Sequence, residues 1–444
     1  MAVLTSMFFL WGFITVLNDV LVPHWKSLFE LSYFEGSLVQ FCFYGAYFIG
    51  SLAYYFIARA SGDPIARIGY KRGLILGLLI SAIGCGLFAP ATMLHSYGAH
   101  LAALFILGIG FTVLQIAANP FVIIIGDSEG ASSRLNLAQA FNSLGTTLAP
   151  LIGGYLIFKN AVPETAVRMP YLGLAGILLL VAVLVWFTAL PEPPQVKSTT
   201  SNAWSHPHLR FGMLAIFCYV GAEVAVGSLI INFLGTADVL GLLKTEADHY
   251  LSLYWGGAMT GRFLGAFALS KDRAPMQRIV SMAIIAVLMF ALLYTLNSSD
   301  RFQVKHMWPM AVLIVANMGA FLLAGPRPAR ALGLFAIAAA ALLLITVSTH
   351  GAWAMWALLA IGLFNSIMWS NIFSLAIEGL GDDTAQGSSL LIMMILGGAL
   401  VFPLQAAIAD TSIGLHRSFL LPVLCYAYLA WYGFKGSKRA HVMT

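Results

Sequence analysis

The sequence predicts an all-α polytopic membrane protein: about fourteen spanning helices, as two pseudo-symmetric six-helix halves with a two-helix hairpin inserted in the second. Three observations predict it. Of 444 residues, 60% are hydrophobic and 9% charged, whereas soluble domains carry about 25% charged residues; this chain cannot cover a water-facing surface. Apolar runs of about 20 residues, the length a ~30 Å hydrocarbon core demands of a helix, recur along the whole chain. The runs of the first half also repeat in the second.

The spans lie near 3–23, 34–58, 73–93, 98–125, 135–158 and 170–190, then 209–234, 250–269, 277–296, 307–325, 331–347, 353–378, 387–409 and 417–434. Each is expected to be helical, because backbone groups in lipid must be satisfied within the segment. The first run has no basic leader and no small-residue cleavage site, so it reads as a span rather than a signal peptide. It starts almost at Met1, as expected of a chain whose cytoplasmic tail has been trimmed. With the N-terminus inside, loops and tail on that side hold fifteen Lys and Arg against seven on the other. This places both termini in the cytoplasm, and the location expected is the inner (plasma) membrane.

A Pro-rich, then Ser/Thr-rich stretch from Pro191 to Asn202 divides six spans from eight. The domain reading is a six-helix bundle at 1–190, a cytoplasmic linker at 191–208, a second bundle at 209–434 and a tail at 435–444. Gly12 matches Gly221 at an offset of 209, and Gly45 matches Gly256 at 211. Gly110, Asn119 and Phe121 match Gly362, Asn371 and Phe373 at 252. The offset jumps by 41, which two extra spans inserted at about 304–347 would fill. Parallel repeats with a midplane site are a transporter plan.

The motifs Phe9-Leu10-Trp11-Gly12-Phe13, Gln40-Phe41-Cys42-Phe43-Tyr44-Gly45, Gln115-Ile116-Ala117-Ala118-Asn119-Pro120-Phe121, Arg134–Ser143, Gly261-Arg262-Phe263 and Gln386-Gly387-Ser388-Ser389 resemble the major facilitator superfamily. Within it they resemble the fucose–galactose–glucose sugar symporters, most of all the glucose/galactose permeases. The resemblance covers nearly all of the chain except the hairpin, and implies the major facilitator fold and cation-coupled sugar transport. Two departures stand out. The L-fucose–proton symporter type has a glutamate where Gln115 sits and a glutamine where Glu223 sits. The loop signature between the second and third spans survives only as Arg67–Arg72, with Ala66 where an aspartate is usual. The resemblance therefore implies no aspartate at that position for the usual inter-helix charge pairing.

Asp19 lies inside the first span. A carboxylate there costs roughly 2.5–3.5 kcal/mol on insertion scales, and such a group reads as functional by default. Removal from water favours the neutral form of a carboxyl group, so reversible protonation is the expected chemistry; a sodium site at Asp19 is the alternative. Glu223 reads as a second ion ligand or a sugar-hydroxyl acceptor, or else as a structural hydrogen-bond partner of a facing helix. Arg262 reads as an anchor or ion-pair partner. Gln115 and Asn119, four apart, share one helix face. Gln139 and Asn142 belong to a second polar stripe that begins at Asn136. Together with Asn18 and Gln40 they are the first half's candidates for sugar contact, since carboxamides both donate and accept. Interhelical bonding is the plain alternative. The second half offers Asn232, Asn365 and Asn371, with Trp255 and Trp369 either stacking on a sugar face or packing against lipid. Gly256–Gly261 and Gly397-Gly398 are expected to permit close helix contacts.

No disulfide, metal-ligand spacing, nucleotide motif or catalytic constellation is present, so the chain is read as no enzyme and without cofactors. Its partners are a monosaccharide, a coupling cation (H+ or Na+) and membrane lipid; no nucleic acid is implied, and a monomer is expected. The function expected is proton-coupled uptake of a hexose such as glucose or galactose by alternating access. Sodium coupling, a substrate such as N-acetylglucosamine, mannose or fucose, and a non-transporting sugar sensor are the alternatives.

Overall fold

The computed structural model describes residues 2–31, 33–126, 130–158, 165–190, 202–242, 244–270, 273–298, 304–409 and 411–438. All regular structure among the described residues is helical. The α-helices are α1 (Ala2–Leu28), α2 (Tyr33–Ser61), α3 (Pro64–Ile68), α4 (Tyr70–Gly86), α5 (Phe88–Met93), α6 (Tyr97–Ile124), α7 (Ala131–Phe158), α8 (Arg168–Phe187), α9 (Pro207–Leu234), α10 (Lys244–Ala268), α11 (Pro275–Asn297), α12 (Val304–Ala324), α13 (Pro328–Ser348), α14 (Gly351–Asn365), α15 (Met368–Ile377), α16 (Thr384–Met393), α17 (Gly397–Ala409), α18 (Gly414–Ser418) and α19 (Leu420–Trp431). Ten helical segments among the described residues are long and apolar enough to cross a membrane.

Several expected spans are broken helices, and the breaks have local causes. Proline carries no N–H, so a helix loses the bond to the carbonyl four residues earlier. Pro90 leaves Gly86 without that donor and Pro422 leaves Ser418 without it; α4 ends at Gly86 and α18 at Ser418. Between α14 and α15 the Ser366 hydroxyl donates back to Leu363 O at 2.6 Å, a bond that competes with the helix ladder.

The chain forms two compact units. The first comprises residues 1–125, 141–205 and 379–396; the second comprises 126–140, 206–378 and 397–444. They differ from the halves read in the sequence by two short segments: the first ten residues of α7 pack in the second unit, and α16 packs in the first. The Pro-rich linker residues 191–201 and the tail from 439 onward lie outside the described residues.

In the first unit, α4 lies along α6 with small residues at the seam. A Cβ on Gly77 would stand 2.6 Å from Leu114 N, and one on Gly110 would overlap Ser81. Between lipid-embedded helices, close backbone approach replaces the hydrophobic effect as the source of attraction. Where α1 crosses α7, a Cβ on Gly12 would overlap the Asn142 carbonyl oxygen, and one on Gly145 the Phe9 carbonyl oxygen. One end of this unit is closed by aromatic rings: Phe88 stacks on Tyr171 at 3.7 Å and on Trp25 at 6.0 Å. At the other end Asp63 caps α3, its Oδ1 accepting from Ile65 N at 2.8 Å, Ala66 N at 3.2 Å and the Tyr54 hydroxyl at 2.6 Å. Thus a carboxylate is present three residues before Ala66, the position that departs from the family pattern. Gly69, at φ +84°, turns the chain from α3 into α4 with a backbone conformation that glycine adopts without strain.

In the second unit the same glycine arrangement recurs where α9 crosses α17. A Cβ on Gly221 would overlap Val401, and one on Gly397 the Phe217 carbonyl oxygen. Gly145 and Gly397 are 252 residues apart, the offset at which the second part of the repeat is spaced. Gly261 packs on Ser366, as its expected role in close contact requires. The segment read as an inserted hairpin, α12 and α13, is built into this unit: α13 packs on α14 and α19. Phe321 meets Phe335 at 4.6 Å, and Asn317 donates to Leu363 O at 3.1 Å.

Candidate functional site

Two polar centres lie among the described residues, one in each unit, and they differ in how far they satisfy themselves. In the first unit, Gln115 and Asn119 project from α6, 1% and 0% exposed. All four of their side-chain polar atoms lack a hydrogen-bond partner. A buried polar group left unpaired costs about 1–3 kcal/mol, so such atoms call for an explanation beyond the packing of the fold. Pro120 follows inside the helix, where it removes one ladder bond. The neighbouring groups are aromatic and polar: Trp11 Nε1–H donates to the Tyr47 hydroxyl at 3.2 Å, and the Thr15 hydroxyl donates to Trp11 O at 2.8 Å. Tyr47 stands near both Thr15 and Gln115. This corner combines aromatic faces with carboxamides that can donate and accept, which suits a polyhydroxylated ligand.

Asn18, Asp19 and Gln40 fall in α1 and α2, but their side chains lie outside the described residues. Asn142 is used within the fold: its Nδ2 donates to Phe8 O at 2.9 Å, at the glycine-lined crossing of α1 and α7.

The second centre ties four helices together. The Tyr219 hydroxyl donates to Glu223 Oε1 at 2.7 Å, and Arg262 Nη2 lies 3.6 Å from the same oxygen. Arg262 Nε donates to Ser366 O at 3.0 Å, at the break between α14 and α15. The Tyr254 hydroxyl donates to Glu223 O at 3.3 Å and accepts from Asn365 Nδ2 at 3.0 Å. Asn365 Oδ1 accepts from the Tyr426 hydroxyl at 2.7 Å. The network joins α9, α10, α14 and α19, and Glu223 meets both a hydroxyl donor and a cation. Both polar atoms of the Asn365 carboxamide are engaged here, as helix-to-helix bonds rather than as free ligand contacts.

The other second-half candidates scatter. Asn371 donates to Pro328 O at 3.2 Å and accepts from Asn136 Nδ2 at 3.3 Å, beside a Ser132–Ser374 hydroxyl contact at 2.8 Å. Trp369 is buried and stacks on Phe373 at 5.0 Å. Trp255 is half-buried, lies against Gly227 and meets Tyr254 edge-on at 5.1 Å. Asn232 is exposed near the end of α9, nine residues or about 13 Å of helix beyond Glu223. Gln139, also in this unit, is buried with an unpartnered Nε2.

Sequence reading identified Arg262 as an anchor or ion-pair partner, and the pairing with Glu223 is what the structure has. It missed Tyr219, Tyr254 and Tyr426. A signal existed for one of them: Tyr219 precedes Glu223 by four residues and shares its helix face.

The family model described as Major Facilitator Superfamily matches residues 2–329. The chain is 44% identical over 449 residues to the glucose/galactose transporter of Brucella abortus, covering 98% of this chain and 93% of that one. It is 40% identical over 456 residues to the putative glucose/galactose transporter of Helicobacter pylori, covering 98% and 96%. It is 30% identical over 459 residues to the L-fucose–proton symporter of Escherichia coli, covering 96% and 91%. Among solved structures, the transporter FucP in the outward conformation is similar with a TM-score of 0.76 and 30% identity over 98% of each chain.

Proposed function

Because the chain belongs to the major facilitator superfamily, we propose that it is a secondary active transporter importing a hexose, glucose or galactose, together with a proton. The observation that carries this reading is the pair of buried, unpartnered carboxamides Gln115 and Asn119 on α6, with Tyr47 near Gln115 and bonded to Trp11. Sugar hydroxyls supply both the donors and the acceptors that these groups lack. The likeness to glucose/galactose transporters and to an L-fucose–proton symporter supports the substrate class and the ion. Asp19 is the proton carrier in this reading, and Gln139, Trp255 and Trp369 are further candidates for the sugar. Glu223 works through Arg262 and Tyr219 as a positioning charge. Fourteen spans, with the hairpin at about 304–347 and both termini in the cytoplasm of an inner-membrane protein, complete the proposal.

Coupling of this kind is a linkage between two sites, so sugar and proton each change the other's affinity by the same factor. The test is uptake by proteoliposomes across a sugar panel, with proton and sodium gradients imposed separately. An inward proton gradient is expected to drive accumulation of glucose or galactose, and a protonophore to abolish it. Asp19→Asn is expected to lose accumulation while keeping counterflow. Accumulation driven by sodium at fixed pH would replace the proton with sodium. Intact proton-driven accumulation in Asp19→Asn would remove Asp19 from coupling, and absence of counterflow in the native protein would leave a sensor.

A further inference from the structure

Three inter-helix connections of the second unit bring Asp238, His350 and His416 together. Asp238 follows α9, His350 precedes α14, and His416 lies in the short helix α18. His416 Nδ1 is 3.0 Å and His350 Nδ1 3.5 Å from the same oxygen, Asp238 Oδ2. The two imidazole rings are 5.1 Å apart. One ligand atom from each residue falls within 4.8 Å of the others.

The hydrogen bonding around His416 makes this arrangement unusual. Its Nε2 lies 2.8 Å from the Thr346 carbonyl oxygen. A carbonyl only accepts, so Nε2 carries the hydrogen, and in the neutral ring Nδ1 then presents a lone pair. That lone pair faces a carboxylate oxygen, which also presents lone pairs. A half-exposed aspartate carries a negative charge near neutral pH, as its ordinary titration range dictates. A cation between the groups resolves the opposition. A histidine that binds metal through one nitrogen characteristically donates the other N–H to a backbone carbonyl or carboxylate, as His416 does to Thr346.

The spacing also fits. Ligands about 2.0–2.1 Å from a tetrahedral zinc ion stand about 3.3 Å from one another; here the two imidazole nitrogens stand 3.0 and 3.5 Å from the carboxylate oxygen, and all three ligand atoms lie within 4.8 Å of one another. The surrounding chain holds the three residues through further contacts. Gly351 N donates to Asp238 O at 3.2 Å, and Gly351 sits at φ +61°, a conformation that suits glycine. The Phe233 ring meets His416 edge-on at 5.0 Å. Asp238 and His350 are 48% and 69% exposed, so an ion from solvent reaches them and a fourth position stays open to water.

We infer that Asp238, His350 and His416 form a binding site for a divalent transition-metal ion, zinc first among them, at the helix-connecting end of the second unit. Two imidazoles and a carboxylate suit zinc, nickel or copper, and disfavour magnesium, which prefers oxygen ligands. The ion would staple the α9–α10 connection to the α13–α14 joint and to α18. One of these lies directly at the end of α13, so the metal would fasten the inserted hairpin to the bundle. This inference is independent of the transport reading.

The test is titration of the tag-free, detergent-purified protein with zinc chloride, read by calorimetry and by the thermal unfolding midpoint, with magnesium chloride as the control. One zinc ion per chain is expected, with a rise in the midpoint that magnesium does not reproduce. Loss of a supporting residue around a metal typically costs 10–100-fold in affinity; loss of a ligand in Asp238→Asn or His350→Ala is expected to cost about 100-fold or more. His350→Ala is the safest variant for folding, because its side chain is the most exposed of the three. Zinc-edge X-ray absorption is expected to show imidazole scattering that decreases in His350→Ala. No saturable zinc binding, or binding unchanged by His350→Ala, would overturn the inference. So would a midpoint that responds to pH and not to zinc, which would leave an imidazolium–carboxylate pair.

Discussion

Replacing Arg262 with methionine tests how the second polar centre is held. Arg262 and Glu223 are 11% and 13% exposed with 3.6 Å between Nη2 and Oε1. At an effective dielectric constant of about 20, opposite charges at that distance attract by about 5 kcal/mol before desolvation is counted. Removing one partner leaves the other buried and unpaired, which costs about 3–5 kcal/mol. Arg262 Nε also supplies the donor to Ser366 O at the α14–α15 break, so methionine loses that bond too. Glu223→Gln alone keeps an acceptor for the Tyr219 hydroxyl and loses the charge. In the double variant neither charge remains, and much of the single-variant loss should be absent. The assay is a double-mutant cycle on unfolding midpoints of the detergent-solubilised protein, with a coupling of about 2 kcal/mol or more expected. Additive effects, with coupling below about 0.5 kcal/mol, would refute the reasoning: the pair would then be an incidental neighbourhood.

Gln115→Leu, close in volume to the native side chain, is expected to leave the unfolding midpoint unchanged or raised while lowering sugar affinity by about 1–3 kcal/mol; thermal unfolding of the purified protein measures the first effect and equilibrium binding the second. Gly145→Val and Gly397→Val are expected to abolish folding at the α1–α7 and α9–α17 crossings, seen as loss of a monodisperse detergent peak, because a Cβ at either position meets backbone carbonyl oxygen. Asp63 is buried, and that burial pushes its carboxyl above the usual carboxylate range. A raised folded value means the folded state holds its proton more tightly, so this stabilising contribution is full in acid and is lost as pH rises through the raised value. Asp63→Asn keeps an acceptor for the α3 cap and is expected to flatten that part of the midpoint-versus-pH curve; a decline identical to the native protein's would assign it to another group.

Much of the fold was legible because lipid leaves the backbone few options. A long apolar run must close its own hydrogen bonds, so runs of about 20 residues could be read as helices without knowledge of their neighbours. Repeated glycines were legible for a related reason: where small residues recur at a fixed offset, a close crossing recurs, as at Gly12 and Gly221. The helix breaks at Gly86 and Ser418 were encoded too, in Pro90 and Pro422, but their effect is felt four residues upstream of the proline.

The sites were less legible because a polar residue in a span announces only that it needs a partner. Asn142, Asn365 and Gln115 look alike in the sequence. Asn142 meets a backbone carbonyl on α1, Asn365 sits between two tyrosines, and Gln115 lies near Tyr47 with neither of its polar atoms in a well-formed hydrogen bond. Likewise Asp238, His350 and His416 carry no ligand spacing along the chain, since 112 and 66 residues separate them.

By itself, the order of residues determined which stretches are helical, where they bend and which buried charges had to be accounted for. These follow from interactions within one helix or between the chain and lipid. Only the tertiary structure decided which polar groups are satisfied and which are left open, because a hydrogen bond between distant residues exists only once packing has brought donor and acceptor within about 3 Å of each other.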